Sequence, residues 1–386
     1  MMKVKICVVT GSRAEYGYLN PFMRCCLGNE KVELQIVVAG THLHPDFGNT
    51  ISCIENDGFQ INEKVNTLVE GDSPSSIAKS MGLALIGFGE VFEKLNPDLL
   101  VLLGDRYEIL AAASAALLSR IPIAHFCGGD ITNGAYDDAI RHSITKMSHV
   151  HFVTHEEAKS RVIQLGEDPS HVFNVGSLSL DGMKKYKLIP REDLASQLGI
   201  DFRERNIVIT YHPPTLYPDR AKLEITEILA ALDELGENVG LVFTRPTLDA
   251  EYLTIVKAID EFVAEHANAF VFSSLGQQRY YSLLSLVDVV VGNSSSGIYE
   301  APSFGKATVN IGDRQKGRKA AASVVHVKAE RAAIKTAIEQ AFLMDCSQIK
   351  NPYEQENTAQ RSLDIILSFD SLSRLITKEF FSIGKE

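Results

Sequence analysis

The sequence predicts an α/β protein made of two doubly wound, Rossmann-like domains that face a common cleft. Short apolar runs closed by glycine or polar residues alternate with amphipathic stretches, which is typical of buried parallel strands joined by crossover helices. Two such series follow one another along the chain. A length of 386 residues also exceeds what one ordinary hydrophobic core supports.

The first series places strands at KICVVTG, VELQIVVAG, DLLVLLGD, IPIAHFCGG and HVHFVTH. Each is a short, near-continuous apolar run, as expected for a strand covered on both faces. Between them, PSSIAKSMGLALIGFGEVFEKLNP has apolar residues at helical spacing and ends before Pro97. The alanine-rich EILAAASAALLSR is a second helix, able to pack closely on a sheet.

The second series places strands at NIVITYHP, VGLVFTRP, AFVFSS, DVVVGNSS and ATVNIGD, again with helices between them. The join falls near DGMKKYKLIPREDLASQLGI. We therefore assign the N-terminal domain to residues 1–183 and the C-terminal domain to residues 184–365. A closing amphipathic helix at about 366–386 is expected to pack back on the first domain.

Composition excludes several classes of function. A net charge of −11 with no recurring basic stripe argues against a nucleic-acid or anionic-membrane surface. No apolar run approaches the roughly 20 residues that span a bilayer. The apolar part of the N-terminus, Ile6 to Val9, is too short for a signal peptide. The six cysteines form no CxxC pair, so we expect reduced thiols and a cytoplasmic location.

Ligands of doubly wound folds bind beyond the carboxyl ends of the strands, so the residues that follow strands are the candidates for function. In TGSRAEYG, Gly11 allows a sharp turn, and Arg13 lies at a helix start that presents backbone amides to an anion. An ordinary loop with a surface Arg–Glu pair explains this motif equally well. In LGDRYE, Asp105 and Arg106 lie where a buried strand ends. A helix-capping aspartate explains Asp105 as well and is compatible with function.

The densest cluster of ionisable residues is HFCGGDITNGAYDDAIRHS. On a helix through DDAIRHSITKMS, Asp138 and His142 share a face, as do Asp137 and Arg141. This spacing is a weak match to zinc and suits general acid–base chemistry better, because burial and repulsion raise a carboxyl pKa towards neutrality. A capped helix start explains the two adjacent acids equally well, but it leaves Asp130 and the double glycine unexplained.

Two motifs of the second series complete the candidates. His212 ends the strand in TYHPPT, where a lone histidine is more often structural than functional. In GNSSSGIYEAPSFGKATVNIGDRQKGR, small hydroxyls and free amides at a helix start predict a phosphate cradle. Glu300 is placed to accept hydrogen bonds from ribose hydroxyls, and Arg314 to add positive charge. The motif is not G-x-S-x-G, which excludes a serine hydrolase.

Together these motifs resemble the hydrolysing UDP-N-acetylglucosamine 2-epimerases of sialic and legionaminic acid biosynthesis, which have the two-Rossmann-domain (GT-B) fold. The likeness runs roughly from Lys3 to His326. Its blocks occur here, in order, as GSRAEYG, GTHL, FGNT, GDRYE, GGDITNGAYDDAIRH, YHP, PTLDA and GNSSSGIYEAPSFGKATVNIGDRQKGR.

The resemblance implies a site between the two domains, in which the uridine diphosphate of a UDP-sugar is held mainly by the C-terminal domain, without cofactor or metal, in a homodimer or homotetramer. The positions that it implies for substrate binding are Arg13, Glu15, His42, Arg106, His142, Asp181, Thr247, Asn293, Ser294, Ser295, Glu300 and Arg314. The positions that it implies for catalysis are Asp105, Asp130, Asp137, Asp138 and His212, the last of which also matches a UDP contact.

The implied reaction is anti-elimination of UDP across C1–C2 of UDP-GlcNAc, followed by hydration of the 2-acetamidoglucal to N-acetylmannosamine. Two departures affect the substrate: Thr247 replaces an asparagine that contacts uracil or UDP in many relatives, and Asp130 replaces a glutamate. The same motifs serve UDP-N,N′-diacetylbacillosamine. A non-hydrolysing 2-epimerase, a GT-B glycosyltransferase and a catalytically silent sensor stay open, as does the choice of base and acid among the carboxylates.

Overall fold

The structure is a computed structural model that describes residues 3–44, 50–67, 69, 71, 73–133, 135–214, 220–246 and 251–384. The chain divides into two compact units. The first comprises Met1–Asp130, Asp137–Gly182 and Gln355–Glu386, and the second comprises Ile131–Tyr136 and Met183–Glu354.

The first unit contains a seven-stranded, wholly parallel sheet in the order β3-β2-β1-β4-β5-β6-β7. Its strands are β1 (Val4–Thr10), β2 (Val32–Ala39), β3 (Glu63–Val65), β4 (Leu99–Leu103), β5 (Ile123–Phe126), β6 (Val150–Val153) and β7 (Val172–Asn174). The strand order reverses between β1 and β4. Ligands of such sheets bind at this reversal, beyond the carboxyl ends of the strands.

Helices cover both faces of this sheet. They are α1 (Arg13–Leu27), α2 (Ile51–Asn56), α3 (Pro74–Leu95), α4 (Tyr107–Leu118), α5 (Asp137–Met147), α6 (Glu156–Gln164), α7 (Leu178–Met183) and, from the end of the chain, α14 (Thr358–Ser368). Alternate residues of β1 enter two different cores, because successive side chains of a strand point to opposite faces. Val8 joins the core that contains Phe22 of α1, and Val9 joins the core that contains Phe88 of α3.

The bounds of α3 follow from its caps. The Ser73 side chain accepts a hydrogen bond from the backbone N–H of Ser76, and Pro74 occupies the first turn, where its missing N–H costs nothing. At the other end, Asn96 adopts the left-handed conformation before Pro97. These signals were visible in the sequence, and the predicted helix is confirmed.

The second unit contains a six-stranded parallel sheet in the order β10-β9-β8-β11-β12-β13. Its strands are β8 (Arg205–Thr210), β9 (Val239–Thr244), β10 (Ala269–Phe272), β11 (Val289–Gly292), β12 (Ala307–Ile311) and β13 (Val324–Val327). Its helices are α8 (Arg191–Leu198), α9 (Arg220–Asp233), α10 (Tyr252–Glu265), α11 (Gly276–Leu286), α12 (Ser296–Tyr299) and α13 (Arg331–Ala341). Here the strand order reverses between β8 and β11.

The ten strands that the sequence predicts are all present, and so is the α/β fold class. The sequence did not indicate β3, β7 and β13, which have only three or four residues each. The closing helix, expected at about 366–386, is observed as α14 (Thr358–Ser368), which packs on α1. It ends where Phe369 becomes extended, followed by Asp370 and Ser371, residue types that favour turns over helix interiors. Within the residues described, no helix is long and apolar enough to cross a membrane.

Candidate active site

At the strand reversal of the first unit, the loop after β1 meets the loop after β4. A backbone N–H of Gly11 donates to Glu15 Oε2 over 2.7 Å, and Ser12 caps α1 through the N–H of Glu15. A Cβ at Gly11 would lie 2.7 Å from the Glu108 side chain. Glycine is therefore required here, because it allows Glu108 to lie directly against the turn.

Glu15 and Glu108 are both buried beside Arg106. Arg106 Nε donates to Glu108 Oε1 over 2.6 Å and lies 3.9 Å from Glu15 Oε1. Burial and repulsion from Glu108 raise the pKa of Glu15 to about 8, although Arg106 opposes the shift. Glu108 holds Arg106 in place at the end of β4.

Arg141, on α5, connects three of the four predicted catalytic aspartates. Its guanidinium forms an ion pair with Asp105, lies 3.4 Å from Asp138 Oδ1, and donates to the backbone carbonyl of Asp130 over 2.9 Å. The Arg141 side chain is only 2% exposed, whereas those of Asp105 and Asp138 are about one quarter exposed. The buried cation of Arg141 therefore orients both carboxylates, which remain partly exposed. We call these residues (Asp105, Asp130, Asp138 and Arg141) the acidic site.

His142 lies one helical turn beyond Asp138. Its Nε2 is 3.5 Å from Asp138 Oδ2, while its Nδ1 is buried and no described residue forms a hydrogen bond with it. Burial lowers the pKa of His142, and the Asp138 carboxylate partly opposes this shift. Asp137 begins α5 one residue before Asp138. The predicted shared face of Asp138 and His142 is confirmed by this geometry.

The turn at Gly128 and Gly129 determines the position of Asp130. Gly129 has a φ of +80°, and a Cβ there would lie 2.4 Å from the backbone oxygen of Ala158 in α6. The turn therefore packs directly on α6. Asp130 itself is 1% exposed, and its Oδ1 accepts hydrogen bonds from Thr154 and His155.

At the strand reversal of the second unit, Asn293 links the ends of β8 and β11. Its Oδ1 accepts from the backbone N–H of His212 over 2.7 Å, and its Nδ2 donates to the His212 carbonyl over 2.8 Å. Its own N–H donates to Thr210. The preceding Gly292 has a φ of +127°, and a Cβ there would lie 2.0 Å from the Thr210 oxygen. The oxygen and the nitrogen of the Asn293 side-chain amide thus both bind the backbone of His212 and fix its position.

Small polar groups follow Asn293. The N–H of Ser296 lies 3.4 Å from Ser294 Oγ, and Tyr280 donates its hydroxyl to Ser296 Oγ over 2.7 Å. Ser295 precedes α12, and Glu300 is buried just after it.

Two side chains after β12 converge on the same carbonyl. Arg314 Nη1 and Gln315 Nε2 both donate to the oxygen of Asn293, over 3.3 and 2.9 Å. Arg314 Nε and Gln315 Oε1 are buried and have no hydrogen-bond partner among the residues that the structure describes. An arginine with an unmet donor, bound to the carbonyl that precedes the serines, suits an anionic ligand. We call His212, Asn293, Ser294, Ser296 and Arg314 the polar site.

The other predicted residues have different surroundings. Both ring nitrogens of His42 are hydrogen-bonded, to Thr10 and Thr50, and burial lowers the pKa of His42 to about 4. Asp181 accepts from the N–H of Ala359 in the first turn of α14. Arg13 begins α1. Thr247 lies outside the described residues.

The sequence did not single out Glu108, His155 or Gln315, and it gave Arg141 no role beyond a helix-surface pair. For Glu108, the available signal was its place in the strand-end motif LGDRYE, two positions after Arg106. Gln315 follows Arg314 directly but gave no independent signal. No group of His, Cys, Asp and Glu suited to a metal ion occurs among the residues that the structure describes.

Comparison with known proteins places these features in a family. A family profile described as UDP-N-acetylglucosamine 2-epimerase matches residues 26–367. The chain is 44% identical over 319 residues to the GDP/UDP-N,N′-diacetylbacillosamine 2-epimerase (hydrolyzing) of Campylobacter jejuni, covering 82% of this chain and 83% of that protein. It is 36% identical over 383 residues to polysialic acid biosynthesis protein P7 of Escherichia coli, covering 98% and 97%.

A solved structure shows the same fold. The crystal structure of UDP-GlcNAc 2-epimerase from Neisseria meningitidis bound to UDP-GlcNAc superposes with a TM-score of 0.82 at 17% identity. The superposition covers 95% of this chain and all of that one. The fold class predicted from the sequence is thereby confirmed.

Proposed function

The chain belongs to the UDP-N-acetylglucosamine 2-epimerase family, and we propose that it is a hydrolysing 2-epimerase of a nucleotide-linked 2-acetamido sugar. The observation that supports this most is the acidic site. Asp105 and Asp138 are held by one buried arginine at the carboxyl ends of the strands, where general acid–base chemistry is performed in such folds.

In the proposed reaction, a carboxylate removes the proton from C2 of the sugar. The electrons of that C–H bond form the C1=C2 double bond, while the C1–O bond breaks and its electrons leave with the nucleoside diphosphate. Water then adds its hydroxyl to the C1 of the 2-acetamidoglucal, and C2 is reprotonated on the opposite face. The products are the free manno sugar and the nucleoside diphosphate.

We assign proton transfer at C2 to Asp138. Its carboxylate is partly exposed and contacts both Arg141 and His142, so it has a counter-charge and a neutral imidazole beside it. Arg141 also contacts Asp105, which we assign to the complementary proton transfer. A fixed cation between two carboxylates stabilises whichever of them is charged at each step.

The polar site is proposed to hold the departing diphosphate. Serine hydroxyls and the backbone amides after β11 are donors for phosphate oxygens, and Arg314 supplies the positive charge. His212 is assigned to the same group because Asn293 fixes its backbone there. Glu300, buried after α12, is assigned to the ribose hydroxyls.

For the sugar, we propose N,N′-diacetylbacillosamine linked to UDP or GDP as the first candidate. The observation in favour is the 44% identity to a relative whose name gives that substrate with either nucleotide. UDP-GlcNAc is the second candidate, favoured by the description of the matching family as UDP-N-acetylglucosamine 2-epimerase. In both cases the sugar carries an acetamido group at C2, so the proposed elimination gives a 2-acetamidoglucal.

We further propose that the protein is a homodimer or homotetramer. Leu83 and Ile86 of α3, and Leu117 and Leu118 of α4, expose large apolar side chains, and α3 packs on α4. Burial of such side chains in a subunit interface is favourable. Light scattering coupled to size exclusion should give a multiple of 42.4 kDa, and Leu118→Lys together with Ile86→Asp should reduce it. A wild-type mass of one chain would contradict this proposal.

The function is tested by incubating the protein separately with UDP- and GDP-N,N′-diacetylbacillosamine and with UDP-GlcNAc. We expect equimolar nucleoside diphosphate and free 2-acetamido manno sugar from at least one of them, measured by anion-exchange chromatography and NMR. Asp138→Asn is the matched control for contaminating activity. Accumulation of an intact nucleotide-linked manno sugar would indicate a non-hydrolysing epimerase. Turnover of none of them would contradict the proposed function.

A further inference from the structure

Asp130 is fixed against the start of α6 by its own chain neighbours. Gly129 packs on the backbone of Ala158, and Arg161 donates a hydrogen bond to the Gly129 carbonyl. The Asp130 carbonyl accepts from Arg141, the hub of the acidic site. The backbone of Asp130 is therefore held from two sides, and the direction of its carboxylate depends on the groups that contact its oxygens.

His155 contacts that carboxylate and also caps α6. The backbone N–H of Ala158 donates to His155 Nδ1 over 3.2 Å, so this nitrogen carries a lone pair and no proton. The Glu157 carboxylate is 3.9 Å from the same nitrogen, beyond hydrogen-bond distance. The ring proton is consequently on Nε2, which lies 3.1 Å from Asp130 Oδ1.

Both partners are buried: His155 is 5% and Asp130 1% exposed. Thr154 supplies a second donor, from its hydroxyl to the same oxygen over 3.3 Å. Two consecutive residues thus direct hydrogen bonds at Oδ1. A buried polar network of this kind has one low-energy arrangement, because any rotation of the carboxylate leaves a buried donor without its acceptor.

We propose that His155 is a positioning residue for catalysis: its neutral, Nε2-protonated ring orients the Asp130 carboxylate within the acidic site. The inference deepens the proposed function and rests on it. His155 acts through Asp130 and is not itself assigned a contact with the substrate. The helix cap and the orientation of Asp130 are two separate roles of one ring, one for each nitrogen.

The two roles are separated by two variants. In His155→Asn, the amide oxygen takes the place of Nδ1, so the cap of α6 is kept while the donor to Asp130 is lost. In His155→Gln, the amide nitrogen reaches the place of Nε2, so the donor to Asp130 is kept. We compare kcat, KM and the thermal midpoint of both with the wild type, using the nucleotide sugar that the full-length protein turns over.

We expect His155→Asn to lower kcat about 10-fold or more, with KM within about threefold and the thermal midpoint nearly unchanged. His155→Gln should recover most of kcat even where its thermal midpoint is lower. A purely structural role gives the opposite pattern, with kcat following the thermal midpoint in both variants. That pattern, or a wild-type kcat in His155→Asn, would overturn the proposal.

A second measurement does not depend on turnover. In the full-length protein labelled with ¹⁵N-histidine, two-bond ¹H–¹⁵N spectra at pH 7.5 distinguish the ring tautomers, and His155→Asn assigns the signal. We expect a neutral ring protonated on Nε2, whose signal shifts in Asp130→Asn. A ring protonated on Nδ1, or an unchanged signal in Asp130→Asn, would overturn the proposal even if every sugar tested above were inert. If the spectrum is as expected but none of the sugars is turned over, the proposed function is contradicted and the contact between His155 and Asp130 is not.

Discussion

The two strand reversals have the same topology but opposite chemistry. In the first unit, the reversal between β1 and β4 collects carboxylates and arginines that pair with one another, as Arg141 does with Asp105 and Arg106 with Glu108. In the second unit, the reversal between β8 and β11 collects hydroxyls and amides, and Arg314 donates to a neutral carbonyl. One fold therefore supplies two strand-end sites whose side chains alone determine what each can do.

The difference lies in what holds each site in place. In the acidic site, Asp105 and Asp138 share Arg141 as a counter-charge, so a proton can be exchanged at either of them without leaving the buried arginine unpaired. In the polar site, the rigid part is a backbone clamp made by Asn293, and hydrogen-bonding capacity remains at Arg314 Nε and Gln315 Oε1. Proton transfer in the first and anion binding in the second are the corresponding expectations.

The largest effect is expected from the acidic site. Asp138→Asn removes the acid–base group while keeping the shape and a hydrogen-bonding oxygen, so we expect kcat to fall about 10²- to 10⁴-fold. The affinity for UDP or GDP, measured by calorimetry, should stay within about threefold, because that binding is assigned to the polar site. A near-wild-type rate would contradict the role of Asp138, and a large loss of nucleotide affinity would contradict the separation of the two sites.

The next effect concerns the clamp of the polar site. Asn293→Ala leaves the His212 N–H and carbonyl without partners, at about 1–3 kcal/mol for each buried group. We expect the free energy of unfolding to fall by roughly 2–6 kcal/mol in urea titrations. Asn293→Asp keeps the acceptor for the His212 N–H but replaces the donor with a carboxylate oxygen facing the His212 carbonyl, so it should also be less stable than the wild type. Equal stability of Asn293→Ala and the wild type would show that the clamp contributes little.

Asp138→Asn is expected to lower kcat and leave nucleotide affinity unchanged, whereas Arg314→Ala should lower the affinity for the nucleotide. Loss of a charge-assisted hydrogen bond of about 1.5–3 kcal/mol corresponds to a roughly 10- to 100-fold weaker affinity for the nucleoside diphosphate. Arg314→Lys keeps the charge and should lose less. If calorimetry gave an unchanged affinity for Arg314→Ala, the assignment of the diphosphate to the polar site would be wrong.

A further effect is a pH dependence of stability from Glu15. Its folded-state pKa of about 8 lies above the ordinary value of 4.5, so the folded protein holds the proton more tightly than the unfolded chain does. The resulting stabilisation is complete below pH 4.5 and is lost as the pH rises to about 8. Glu15→Gln should therefore flatten the fall of the thermal midpoint between these pH values. An equally steep fall in wild type and variant would exclude Glu15 as its cause.

The sequence predicted the strands and the convergence of strand-end residues because both depend on local patterns. Continuous apolar runs define the central strands, and the residues after them necessarily meet at one edge of a parallel sheet. By contrast, the central position of Arg141 depends on which rotamer reaches Asp105 from another element. The hydrogen bonds of His42 to two buried threonines, and of Asp181 to α14, depend on distant parts of the chain in the same way. Spacing along the sequence contains no information about such contacts.

The most direct test of this division of chemistry is the reaction run in D₂O with the nucleotide sugar that is turned over, followed by NMR. We expect free 2-acetamido manno sugar with deuterium at C2, released together with the nucleoside diphosphate. In Asp138→Asn, we expect neither product at a comparable rate although the nucleotide still binds. A free sugar that retains protium at C2, or release of the nucleoside diphosphate without inversion at C2, would contradict proton transfer by the acidic site.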